Sequence, residues 1–578
     1  MPSPQQPSVL KNALSPLSAD IKRTVFFSCF VNLLVLSPTW YMLEVYDRVV
    51  NSQNYRTLLM LTIMVIGMYA LLEALEWVRG RIMYVASSKF DVSLRDRVFN
   101  SIFQARLKQI AGGTAQALSD LKVIQDAIAS PALMALIDLP FAILTLILIF
   151  WINATLGWFA VGGAVVLGVI AIINQYSVQP PLTKANQHAI AAQNYASGAI
   201  RNAQVIEAMG MLRNIRQKWM KKQREFLHMQ ALASDRAGIN SSLSKLVQTL
   251  QGSMLLGLGC WLTLQGELSM GGSMMIIGSI LGGRVLAPLV VIVTHWRVIM
   301  NAQDAINRLD NFLKFFSEPK PTMALPPPQG NLSVEGATAC PPNSQIPILK
   351  GITFKLPAGQ SLAIVGPSAS GKSTLARLIT GIWPTVNGKV RLDGADIYTW
   401  KKTELGPYVG YLPQNVELFD GTLAENISRF GEIDMNKVTE AAQIVGLDTF
   451  ISTLKDGYNT QLGDEGAFLS GGQRQRVALA RAIYGMPKFV VLDEPNSSLD
   501  EDGDAALLRT LEYMKTKSTT VIVITHRPQV LSAIDNMMVL VDGQITALGP
   551  RDDVLKALSQ QNQPAAKTPA QSSAERSA

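Results

Sequence analysis

Over its first half the chain alternates long apolar stretches with basic stretches of helical pattern, and over its second half short apolar runs alternate with glycine-rich turns. Six apolar stretches, residues 25–43, 58–75, 135–151, 156–173, 246–264 and 274–294, each have about the length a helix needs to cross a bilayer. Taken singly, each could equally be a helix in a large soluble core. Six in succession, with loops alternating between basic and charge-poor, read as spans. Lys22 and Arg23 precede the first span. Arg79, Arg81, Lys89, Arg95, Arg97, Arg106, Lys108 and Lys122 crowd the loop after the second, and Lys221, Lys222 and Arg224 lie between the fourth and fifth. The opposite connections are short, and residues 265–273 hold neither Lys nor Arg. By the positive-inside rule the N-terminus and both long loops face the cytoplasm. The expected layout is a cytoplasmic segment at 1–20 and an α-helical polytopic membrane domain with six spans at 21–316, the first kinked at Pro38.

Five prolines between Pro319 and Pro328 mark a linker at 317–330. From 331 to 558, strands, helices and turns alternate as in an α/β domain, with Asp542-Gly543 as a hairpin signal. The tail at 559–578, rich in Ala, Gln, Ser and Pro, reads as disordered.

Composition agrees with a chain partly in lipid: 48% of residues are hydrophobic and only 16% charged. The net charge of +8 could suggest nucleic acid, but the basic residues flank apolar runs, so the expected partner is a lipid bilayer and no nucleic acid. Three cysteines, Cys29, Cys260 and Cys340, provide neither a disulfide framework nor metal-ligand spacing. The first twenty residues lack the apolar region of a cleaved secretory signal. Asp138 and Arg284 are ionisable residues in or near spans, followed by Pro140 and Pro288. Such groups line a transport path or pair across helices; Asp138 could also be a structural polar group at the cytoplasmic interface.

The clearest chemical signal is Gly366-Pro367-Ser368-Ala369-Ser370-Gly371-Lys372-Ser373, followed by Thr374. It stands between a predicted strand at 362–365 and a predicted helix at 375–379, as a phosphate-cradling loop must. Glycines let several backbone N–H groups face an anion, and the helix N-terminus adds the positive end of its dipole. Lys372 would neutralise the β- and γ-phosphates of ATP, and Ser373 would offer an oxygen to Mg²⁺. Downstream, an apolar strand ends in Asp493, positioned to hold the Mg²⁺ shell, and Glu494 follows as the candidate general base for the attacking water. Ser470-Gly471-Gly472-Gln473 opens a helical run with an N-cap serine, a second anion site at a helix N-terminus.

With these residues in place the chain resembles an ABC transporter. The resemblance implies that Ser470 to Gln473 is the signature that meets ATP held on a partner's phosphate loop. Gln414 matches the Q-loop glutamine that senses metal and phosphate, Asp500 the D-loop aspartate, and His526 the switch histidine. One ATPase domain and six spans imply a half-transporter working as a homodimer with two equivalent sites. Closure would pass to the membrane helices through the inner loops near 113–121 and 196–203.

The runs from Tyr41 to Val49, Asp138 to Phe141, Arg201 to Gly210 and Gly283 to Pro288 are similar to type I secretion permease/ATPases, in the branch that exports proteases, lipases and haem-acquisition proteins. That resemblance covers roughly 21–558 and implies a periplasmic membrane-fusion adaptor, an outer-membrane channel and a secreted protein substrate with a C-terminal signal. It implies a place in a bacterial inner membrane, with the ATPase domain cytoplasmic. The extra peptidase-like domain of toxin exporters is not expected ahead of the first span. One departure stands out: between Val334 and Pro342 there is no aromatic to stack on adenine. Base discrimination is expected to weaken accordingly. Three other readings carry less of the motif set: an exporter of lipid or small molecules, a P-loop kinase or DNA-repair ATPase on an anchor, and a gated channel.

Overall fold

The computed structural model describes residues 9–108, 116–266, 272–316, 323–341, 344, 346–463, 466 and 468–561. They form two compact units, the first chiefly up to Glu318 and the second chiefly from Pro319. The expected tail beyond 561 and most of the proline-rich linker's start lie outside the described residues.

The first unit is helical: α1 (Val9–Leu14), α2 (Leu17–Leu34), α3 (Ser37–Glu44), α4 (Tyr55–Leu107), α5 (Gln116–Ile128), α6 (Pro131–Ile152), α7 (Ala154–Arg201), α8 (Ala203–Ala208), α9 (Leu212–Leu264), α10 (Gly272–Thr294) and α11 (Trp296–Lys314). The first apolar stretch breaks at Val35 and Leu36, just ahead of Pro38 at the start of α3, where a missing N–H costs least. A π-helical turn, Val45–Val50, completes it. The inner-loop segment at 196–203 contains a helix break, since Asn202 separates α7 from α8. Gly113 of the other segment is outside the described residues.

Among the described residues, five helical stretches are long and apolar enough to cross a membrane: Leu17–Val50, Tyr55–Leu107, Gln116–Ile152, Ala154–Arg201 and Met274–Thr294. The stretch at 246–264 is not one of them, because Gln248 and Gln251 interrupt its apolar run. Both glutamines turn inward. Gln248 Nε2 donates to Gly283 O at 3.1 Å, and Gln251 is buried so close to α7 that a Cβ on Gly163 would stand 1.6 Å from its Oε1. The opposite side of the same segment exposes Leu246, Leu250, Met254, Trp261 and Leu264. Helix α9 therefore carries its polar residues toward α7 and α10 and its apolar ones outward, the distribution a span needs when hydropathy alone is marginal.

An apolar cluster packs Leu10 and Leu17 with Met83, Phe90, Leu94 and Leu309, so the segment expected at 1–20 contributes two core residues. Of the two intramembrane residues, Asp138 pairs across helices with Arg79, at 2.8 Å.

The second unit has an antiparallel sheet in the order β2-β1-β4-β5 and a six-stranded sheet in the order β10-β9-β3-β8-β7-β6. The strands are β1 (Leu332–Ala339), β2 (Leu349–Leu356), β3 (Ser361–Val365), β4 (Asn387–Leu392), β5 (Ala395–Asp396), β6 (Val409–Leu412), β7 (Phe489–Asp493), β8 (Thr520–Ile524), β9 (Asn536–Val541) and β10 (Gln544–Pro550). Strands β6, β7, β8, β3 and β9 are parallel and apolar on both faces, which requires cover on both sides. The β9–β10 hairpin turns at Asp542 and Gly543, both with positive φ, as the dipeptide predicts.

Candidate nucleotide site

Parallel register sets the site. Ile364 of β3 pairs with Ile524 of β8, which pairs with Asp493 of β7; Leu412 of β6 pairs with Leu492. Gly366, His526, Glu494 and Gln414 therefore all leave the sheet within a residue or two of one carboxyl edge, the place where open α/β sheets bind ligands.

The phosphate loop joins β3 to α12 (Lys372–Ile379), which begins three residues before the predicted start. Its conformation needs its glycines: Gly366 has φ 155° and a Cβ there would meet Leu540 O at 2.0 Å, while Gly371 has φ 102°. Ala369 also takes positive φ, at 63°. Ser370 Oγ is buried with no hydrogen-bond partner, and Lys372 Nζ donates to Gly366 O and Pro367 O at 2.8 Å each. The Lys372 amine thus rests on the loop's own carbonyls while Ser370 Oγ is left to be satisfied, and burial lowers the amine's pKa against the raising effect of Glu494 and Asp493.

Ser373 Oγ donates to Asp493 Oδ1 at 3.4 Å. Burial pushes the Asp493 carboxyl up; Glu494 adds to this, while Ser373, Arg377 and Lys372 lower it. A hydroxyl converging on a buried carboxylate is the oxygen donor set that suits a hard cation. Glu494 takes positive φ, 52°, held by its N–H bond to Ile524 O at 2.9 Å, and Gln414 Nε2 donates to its Oε2 at 2.9 Å. The structure thus brings Gln414 onto the candidate base, a contact its sequence position does not reveal.

Helix α13 (Gly471–Ile483) opens with a reciprocal capping box: Gln473 N donates to Ser470 Oγ at 3.2 Å and Ser470 N to Gln473 Oε1 at 2.9 Å. A Cβ on Gly472 would stand 3.1 Å from Ser498 O. Ser470 and Gly471 are exposed, and none of the hydrogen bonds among the described residues joins them to the phosphate loop. Asp500 caps α14 (Glu501–Thr516) through Gly503 N at 2.9 Å. His526 is exposed and, among the described residues, has no hydrogen-bond partner. Hydrogen bonds therefore join Ser373 to Asp493 and Gln414 to Glu494, and Lys372 to its own loop, while Ser470, Asp500 and His526 have no hydrogen bond to any of these among the described residues.

Sequence reasoning missed Gln475. It is buried; Nε2 donates to Glu494 O at 3.1 Å and to Pro495 O, and Oε1 accepts from Ser498 N at 2.9 Å. It ties the signature helix to the backbone of the candidate base. Nothing in a single sequence separates it from Gln473 two positions earlier. Gln475→Ala should leave those groups unpaired at about 1–3 kcal/mol each. A lowered unfolding temperature together with ATPase activity reduced about tenfold is the expected result.

A helical membrane unit and an α/β unit with this phosphate loop and capped second helix define the class: the chain is an ABC transporter, an ATP-binding hydrolase coupled to transport. The sequence model of the ABC transporter matches residues 349–497, and that of the ABC transporter transmembrane region matches residues 24–285. The chain is 38% identical over 530 residues to the type I secretion system ATP-binding protein PrsD of Rhizobium meliloti (strain 1021), covering 91% of each. It therefore belongs to the type I secretion ATP-binding proteins. It is 27% identical to the toxin RTX-I translocation ATP-binding protein of Actinobacillus pleuropneumoniae and 28% identical to the alpha-hemolysin translocation ATP-binding protein HlyB of Proteus vulgaris, spanning 92% of this chain and 76% of each relative. Its fold is similar to that of a bacterial Atm1-family ABC exporter solved with ATP bound, with TM-score 0.81 and 21% identity over 95% of this chain and 99% of that one.

Proposed function

We propose that this chain is the ABC component of a type I secretion system, a homodimer in a bacterial inner membrane that couples ATP hydrolysis to export of an unfolded protein. The observation that carries this is the 38% identity to a type I secretion ATP-binding protein over 91% of both chains. The exported protein is of the protease, lipase or haem-acquisition type, marked by a C-terminal signal. A periplasmic membrane-fusion adaptor and an outer-membrane channel complete the route, and the ATPase domain is cytoplasmic.

In each site the amides of 366–374 and Lys372 hold the phosphates, and the partner's copy of Ser470 to Gln473 closes over them. Ser373 and Asp493, with Gln414, would hold Mg²⁺, which when bound neutralises phosphate charge. Glu494 accepts the proton of the attacking water, Gln414 orients Glu494, and His526 reaches the γ-phosphate once the dimer closes. Asp500 supports the dimer face next to the signature. Hydrolysis separates the two ATPase domains and resets the membrane helices. Secretion of candidate C-terminal fragments in cells with and without this chain tests the reading; fragments that leave equally well without it would refute it.

Between Val334 and Pro342 no aromatic is available to stack on adenine, and β1 ends at Ala339, just before Cys340 and Pro341. Stacking on an aromatic contributes about 1–3 kcal/mol per base. Competition of GTP for ATP hydrolysis should therefore show Km values within about tenfold of each other. A preference for ATP of a hundredfold or more would assign base recognition to other groups.

A further inference from the structure

A cavity of the membrane unit with several charged residues on its wall is left unexplained by the ATPase chemistry. It measures about 470 Å³ and is lined by α2, α4, α6 and α10, with Asn32, Glu76, Arg79, Asp138, Thr145 and Arg284 as its polar wall. Arg79 is 5% exposed. Its Nη1 donates to Asp138 Oδ1 and Oδ2 at 2.8 and 3.1 Å and to Ser28 Oγ at 3.0 Å; its Nη2 donates to both Glu76 oxygens at 3.1 and 2.9 Å. Asn32 Nδ2 adds a bond to Asp138 Oδ1 at 3.2 Å. The Nε of Arg79 is buried without a partner.

One guanidinium thus serves two carboxylates, so the triad carries a surplus negative charge. Arg284 stands on the wall of the same cavity, exposed, and among the described residues it has neither an ion pair nor a hydrogen bond. An anion entering here would meet the surplus charge of the triad, and a cation would meet Arg284. The four groups together sum to zero. While water fills the cavity their attraction is screened; if the cavity empties, an isolated guanidinium and an unbalanced triad are both costly at membrane depth, and pairing removes both costs. Pro140 lies inside α6, close to Asp138, and Pro288 inside α10, close to Arg284, and each removes a hydrogen bond from its helix, so that a kink costs least there.

We infer that Arg284 is a positioning residue for transport: during the cycle it closes onto the Glu76–Arg79–Asp138 triad, collapses this cavity, and reopens it on release. The inference rests on the exporter reading for its coupling to ATP. It needs no exported polypeptide, so failure of secretion and failure of closure are separate results.

The test uses the full chain in proteoliposomes, with Cys29, Cys260 and Cys340 replaced by Ala and Thr145→Cys as a reporter in the cavity. Labelling by a charged maleimide is measured with and without ATP and vanadate. The expected result is about tenfold protection in the trapped state. Arg284→Glu and Glu76→Arg each abolish it, and the double reversal, which restores the charge sum, recovers it while basal ATPase stays within about twofold throughout. Arg284→Gln gives partial loss and serves where reversal impairs membrane insertion. No rescue by the double variant, unchanged protection in Arg284→Gln or Arg284→Glu, or no nucleotide dependence in the parent would overturn the inference.

Discussion

Replacing Glu494 by Gln should lower ATP turnover by about 10²–10⁴-fold, the range a positioned general base supplies, equivalent to about 3–5 kcal/mol of barrier. Binding should survive, because the loop that holds the phosphates does not depend on this carboxylate: Lys372 is held by Gly366 O and Pro367 O, and Ser373 by Asp493. The amide also keeps a polar group opposite Gln414, which donates to Glu494 Oε2 at 2.9 Å. The variant should therefore retain ATP and hold the dimer closed, seen as stoichiometric bound nucleotide that stays with the protein through gel filtration. Turnover within tenfold of the parent would remove Glu494 from the role of base.

The second large effect concerns which chain completes a site. Lys372→Ala removes the cation that faces the phosphates, and Ser470→Arg fills the capped N-terminus of α13; either alone should reduce activity of the homodimer to below about 1%. Mixed dimers separate the geometries. If the signature acts across the interface, a Lys372→Ala chain paired with a Ser470→Arg chain keeps one intact site and about half the parental ATPase, while a doubly substituted chain paired with a parental one keeps none. If loop and signature of one chain served the same ATP, the two pairings would exchange results. The exposure of Ser470 and Gly471, with no hydrogen bond to the phosphate loop among the described residues, favours the first outcome.

The glycine loop before α12, the strand ending in Asp493 and the start of α13 could be read from the chain alone because each is a contiguous run whose conformation is local: a turn that needs glycines, a strand that ends in a carboxylate, a helix that starts with a cap. Membrane spans were equally plain where hydropathy was high. The stretch at 246–264 shows the limit, since its glutamines lower the apolar signal and only their inward direction, against Gly163 and Gly283, explains how they can lie in a span. Arg79 shows another. It lies beyond the second apolar run among many arginines, yet it alone of these reaches Asp138, 59 residues away.

What the sequence by itself determined is the order of parts: six apolar stretches, a proline-rich run, a glycine loop between strand and helix, a strand ending in a carboxylate with an acidic neighbour, and a second capped helix. The tertiary structure decided which of these touch. Parallel register across β3, β8 and β7 put Gly366, His526 and Glu494 at one edge. Gln414 met Glu494 across 80 residues of chain, and Gln475 was drawn under the same loop. The physical reason is range: backbone conformation and capping depend on near neighbours, whereas hydrogen bonds between distant segments depend on how sheets register and helices pack.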